Sequence, residues 1–189
     1  WVSDSLTVTG NGRTATIIDG GARDRIFDVY PGGPIDFGLN SLTVQNGDTT
    51  AAPFLDGGAM YLDSLVTSTL SDIVVQNNVA GAFGAIANRG TLELRNSLVV
   101  NNSAPNGPTE GGGLRTSGPT TIIDSTFSGN SVTGEGGAIA LSVAAGDTVQ
   151  ISGTTIDDNS ATGNGGGIST TGNDGALEIV NSTIENNTA

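Results

Sequence analysis

The sequence predicts an all-β protein: a single-stranded, right-handed parallel β-helix, a three-sided solenoid of about 25–29 residues per coil. Three observations predict it. Thirty glycines and many Asn, Ser and Thr residues separate short runs of Val, Ile and Leu, the composition of brief strands joined by tight turns. A Gly-small-apolar element recurs as Gly58-Ala59-Met60, Gly84-Ala85-Ile86, Gly112-Gly113-Leu114, Gly137-Ala138-Ile139 and Gly166-Gly167-Ile168, at intervals of 26, 28, 25 and 29 residues. A second element follows each copy, in Leu92 to Ala104, Thr120 to Val132, Val149 to Ala161 and Leu177 to Ala189, with a looser version in Ser68 to Ala80.

Superposing the copies gives columns. Leu70, Leu94, Ile122, Ile151 and Ile179 form one apolar column, and five residues on Val75, Val99, Phe127, Ile156 and Ile184 form another; both are expected to point inward. Between them stand Asp72, Asn96, Asp124, Gly153 and Asn181, residue types that accept a positive φ cheaply and so predict a bend. Asn78, Asn102, Asn130, Asn159 and Asn187 form a second column expected to bend. Each repeat then holds three short strands and three corners, and coils stack in parallel about 4.8 Å apart. Propeller blades need about 40 or more residues per repeat, and a tandem nine-residue calcium repeat is missing.

The 189 residues form one domain. Residues 58–189 carry the regular coils; residues 1–57 are less regular, with strands expected at Ser5 to Thr9, Thr14 to Asp19, Arg25 to Tyr30 and Leu39 to Gln45, and loops at Gly32-Gly33-Pro34 and Thr49 to Asp56. The sequence opens on Trp1 without a charged n-region or an apolar h-region, as expected of a mature chain or an excised fragment. It stops at Ala189 without a polar cap, which points to truncation at that end or to head-to-tail association with a second copy.

Charge and composition restrict function. The net charge of −13, with six Arg and no Lys, repels phosphate backbones, so no nucleic-acid partner is expected. No apolar run is long enough to span a bilayer as a helix. Without Cys or His, disulfides, thiolate metal sites and the usual general base are unavailable.

The repeated Gly-Gly-[Ala/Gly]-Ile and Asn-Ser-Thr-Ile-x-x-Asn-[Ser/Thr]-Ala patterns, with Thr16-Ile17-Ile18-Asp19-Gly20-Gly21 and Ser41-Leu42-Thr43-Val44-Gln45-Asn46-Gly47 upstream, resemble the pectate-lyase-like β-helix repeats of bacterial and archaeal surface proteins, including the polymorphic outer membrane protein type. That resemblance implies extracellular or cell-surface exposure, adhesion or self-association, and polysaccharide lyases and hydrolases in distant branches.

The likeness to those enzymes fails at their sites. Of the polygalacturonase pattern only Asp157-Asp158 is present, and Asp157, following inward Ile156, is expected to face solvent. Arg89, Arg95 and Arg115 stand at different registers, pairing with neighbours such as Glu93. Asp157 and Glu185 share one register on adjacent coils, where solvent screens them or a cation bridges them; Asp157, Asp158 and Glu185 are the candidate calcium ligands, with Asn159, Asn186 and Asn187 nearby. The Asn columns are expected to form a ladder of stacked amides. Asn101, Asn181 and Asn186 also fit the Asn-x-Ser/Thr pattern.

The resulting expectation is a non-enzymatic extracellular scaffold that presents the corners Ala104 to Gly111 and Ser142 to Asp147 to a glycan or to a host or cell-surface protein. The alternative is a polysaccharide-binding or polysaccharide-degrading β-helix with a shallow glycan groove.

Overall fold

The computed structural model describes residues 1–51, 56–171 and 175–189. Among them every strand pair is parallel, and each strand pairs with its equivalent one coil away, as a β-helix requires. Three sheets run along the rod. A six-stranded sheet stacks Phe27–Val29, Met60–Leu62, Ile86–Asn88, Leu114–Thr116, Ile139–Leu141 and Ile168–Thr170. A twelve-stranded sheet holds the longest strands, Ile35–Gln45 and Val66–Gln76, and a short third sheet stacks Ser103–Glu110, Ser131–Glu135 and Ser160–Ala161.

The bend column behaves as expected. Asp72, Asn96, Asp124, Gly153 and Asn181 all have φ between 44° and 57°. The bend does not separate two sheets, however. Ile35–Gln45 and Val66–Gln76 run through it unbroken, with Asn40 paired to Ser71 on one side and Leu42 to Ile73 on the other, and Ser41 and Asp72 at the corner itself. A single left-handed residue turns the chain while the ladder on both sides stays in register. A regular coil such as 114–135 therefore carries four strand segments in three sheets.

The second Asn column corrects the expectation. The positive φ values fall one residue earlier, at Asn77, Asn101, Gly129, Asp158 and Asn186. That earlier bend turns Asn78, Asn102, Asn130 and Asn159 into the interior, where each is at most 1% exposed. There they form the expected ladder, each Nδ2 donating to the next Oδ1 at 3.0, 3.0, 2.9 and 2.9 Å, ending on Asn187. A parallel ladder of hydroxyls follows the first bend: Ser97, Ser125 and Thr154 are buried, and the backbone amides of Ser97, Ser125 and Thr154 donate to Ser125, Thr154 and Ser182 oxygens.

The core lies inside the coils. Leu70, Leu94, Ile122 and Ile151, and Val75, Val99, Phe127 and Ile156, are at most 1% exposed. Phe27 and Phe37 meet edge to face at 5.4 Å near the N-terminal end. In the last coil the same columns are open: Ile179 is 40% and Ile184 47% exposed. The recurrent Gly pair has a divided task. Gly136 sits at φ 71°, and Gly137 lies so close to the next coil that a Cβ there would stand 2.1 Å from the Gly166 carbonyl oxygen.

The strands expected within residues 1–57 all form, as Leu6–Thr9, Ile17–Asp19, Phe27–Val29 and Ile35–Gln45. The expected loop at Ala104 to Gly111 is largely strand: Ser103–Glu110 pairs with Ser131–Glu135, and the register shifts between Ala104 and Thr109, so the extra residues bulge outward from a maintained ladder. Ser142 to Asp147 is irregular, as expected. Of the loop expected at Thr49 to Asp56, residues 52–55 lie outside the described residues.

Candidate functional site

The acidic pair is adjacent as expected, with Asp157 opposite Glu185 in register. Asp157 is half-buried rather than fully turned to solvent, and its Oδ1 is enclosed without a hydrogen-bond donor. Asp158 occupies the left-handed bend, exposed. Among the described residues no three acidic side chains converge on a point that would hold a metal ion. The same column carries a different chemistry at the other end of the rod, where Gln76 donates to Gln45 and Gln45 to Asp19, each at 2.8 Å. The Gln45 amide, the Gly21 backbone N–H and the Asn46 amide, in that order, hold the Asp19 carboxyl below its ordinary range.

The three arginines singled out in the sequence do not converge. Arg95 closes on Glu93, with Nη2 to Oε2 at 3.0 Å. Arg115 stacks over the Phe83 ring at 4.8 Å, with Glu110 beside it at 3.5 Å. Arg89 reaches Asp56 at 3.0 Å.

That last contact belongs to a cleft which the sequence did not single out. The strands Phe27–Val29, Met60–Leu62 and Leu114–Thr116 bury their first and third residues, so their middle residues Asp28, Tyr61 and Arg115 stand outward on a register row that Ala87, Ala140 and Ser169 continue as buried residues. At the N-terminal end of this row the surface folds into a cleft of about 330 Å³ around Tyr61. The Arg25 and Arg89 guanidinium carbons lie 5.2 and 5.4 Å from the Tyr61 ring centre. Arg25 is fixed from behind, its Nε donating to the Asp56 carbonyl at 2.9 Å and its Nη1 to Asp28 at 2.7 Å. Burial raises the Tyr61 phenol above its ordinary value, with Asp63 and Asp56 acting in the same direction and Arg89 opposing them.

Two exposed aromatics complete the cleft. Trp1 donates its ring N–H to the Tyr30 carbonyl at 2.9 Å, and the adjoining backbone is pinned where Val2 pairs with Val29. Trp1 is 86% and Tyr30 55% exposed. The available signal was register: Tyr61 stands between inward Met60 and Leu62, directly opposite Asp28. Arg25 and Arg89 reach this position from other coils, a convergence that repeat spacing alone does not reveal.

Two stretches of the chain, residues 124–142 and 153–171, match the Chlamydia polymorphic membrane protein repeat. Each match starts at the left-handed corner, at Asp124 or Gly153, and runs through the buried Asn to the next strand of the six-stranded sheet. The matched positions are thus those that bend and pack the coil. The match likens these two coils to repeats of polymorphic membrane proteins. No curated protein and no solved structure matches the chain. Among the described residues no helix is long and apolar enough to cross a membrane.

Proposed function

We propose that this β-helix of the polymorphic outer membrane protein type serves as a non-enzymatic extracellular scaffold, holding adhesive contact surfaces on a stiff rod. The observation that carries this reading is where the repeat falls: its recurring residues are spent on corners, ladders and core, and the 143–147 corner lies outside both matched stretches. A continuous parallel ladder with buried amides resists bending, because each coil is hydrogen-bonded to the next along its whole outline.

Antibodies against the chain should label intact, unpermeabilised cells of the source organism, and exclusion of the antibody from intact cells would overturn surface display. Beads coated with the chain should attach to matrix-coated surfaces more than beads bearing an unrelated solenoid; equal attachment would overturn the adhesive part. Release of unsaturated uronates from polygalacturonate would overturn the non-enzymatic part.

A further inference from the structure

We infer that the Tyr61 cleft at the N-terminal end of the six-stranded sheet is a binding site for a neutral saccharide, with Trp1 and Tyr30 as the stacking surface and Asp28 and Arg89 as the hydroxyl-binding groups. The site would operate whether or not the rod is adhesive.

Aromatic placement is the first argument. The chain has one Trp and two Tyr, and all three line this single cleft. Trp and Tyr offer broad rigid faces at low conformational cost, and a ring that is 86% exposed, held by a hydrogen bond to its neighbour, presents an apolar face to solvent. The C–H face of a pyranose is flat, apolar and matched to such a ring.

Polar placement is the second. A carboxylate acceptor and a guanidinium donor can together serve the hydroxyls of a sugar. Asp28 uses one oxygen on Arg25 and has a side chain 45% exposed; Arg89 uses one Nη on Asp56 and has a side chain 46% exposed. Both therefore keep hydrogen-bonding capacity toward solvent.

Charge selects among ligands. Arg25 is paired with Asp28 and Arg89 with Asp56, so the two cations are neutralised within the site, on a chain of net charge −13. An acidic polysaccharide has no uncompensated cation to meet. The Tyr61 face is closed to a quaternary ammonium because Arg25 and Arg89 already stand there, and choline tests the open Trp1 and Tyr30 faces. A neutral polyol is the ligand that uses the open rings and the remaining polar atoms together.

Trp1 is the sequence's one tryptophan, so its emission reports on the cleft directly. The 189-residue chain should be titrated with cellohexaose, mannohexaose, maltohexaose and chitohexaose, with choline and polygalacturonate as competing ligand classes. The expected result is a saturable change in Trp1 emission with at least one neutral hexaose, weakened at least tenfold in Tyr30→Ala and in Arg89→Gln, with circular dichroism unchanged. The inference is overturned by no saturable change with any hexaose up to about 10 mM, an affinity too weak for a formed site. It is equally overturned by preferential response to choline or polygalacturonate, or by saccharide binding that Tyr30→Ala leaves intact. Loss of surface attachment by the coated beads without loss of this titration would affect the scaffold reading alone.

Discussion

Asn130 holds Asn102 by two hydrogen bonds through one atom: its Oδ1 accepts the Asn102 side-chain amide at 3.0 Å and the Asn102 backbone N–H at 3.1 Å. Its own Nδ2 donates to the Val99 carbonyl at 2.8 Å and to Asn159 at 2.9 Å. Asn130→Ala strands partners on both sides of a fully buried position, and should cost about 2–4 kcal/mol. Asn187→Ala, at a position that is only half-buried and where water replaces the lost bonds, should cost much less. Urea denaturation followed by circular dichroism checks the difference, and equal losses would contradict the role of burial.

The coil spacing at Gly137 leaves no room for a side chain. A Cβ there would lie 2.1 Å from the Gly166 carbonyl oxygen and 2.7 Å from Ser160 backbone atoms, none of which can move without opening the ladder. Gly137→Ala should destabilise the protein by about 1–3 kcal/mol or more. Gly32→Ala, with nothing within 4 Å of the added carbon, should stay within about 0.5 kcal/mol of the parent. Thermal melts of the two variants provide the comparison.

Glu185 faces Asp157, whose enclosed Oδ1 has no donor, whereas at the equivalent place near the N-terminus Gln45 donates to Asp19. Glu185→Gln removes a like charge and supplies an amide donor, so it should stabilise the protein by about 0.2–1 kcal/mol. The gain should shrink as salt is added, because part of it is relief of repulsion. A melting temperature below that of the parent at low salt would refute it.

Tyr61 supplies a pH dependence. Its folded pKa is raised above 10.0, chiefly by burial, so the folded state favours the neutral phenol. The associated stability is fully present below the unfolded value and is lost as pH rises through the raised folded one. Tyr61→Phe removes the ionisation, so the variant should gain on the parent between about pH 8 and pH 11. Denaturation midpoints at the two pH values read this directly; a constant difference would exclude Tyr61 as the titrating group.

The sequence by itself determined the solenoid. Column residues such as Leu94 and Val99, and Asn96 between them, obey constraints repeated in every coil, so five imperfect copies reveal which side chains point in and where the chain bends. The Asn ladder was legible for the same reason. Tertiary structure decided what repetition does not encode. The bend at Asn77 and Asn101, rather than at Asn78 and Asn102, follows from the need to turn those amides inward. Residues Ser103–Glu110 became strand because a bulge let the extra residues leave a ladder that remained paired. The Tyr61 cleft depends on Arg25, Asp56 and Arg89 meeting from three different coils. Local pattern sets a repeat's own geometry, whereas such a meeting depends on the spacing between coils and on side chains that differ from one coil to the next.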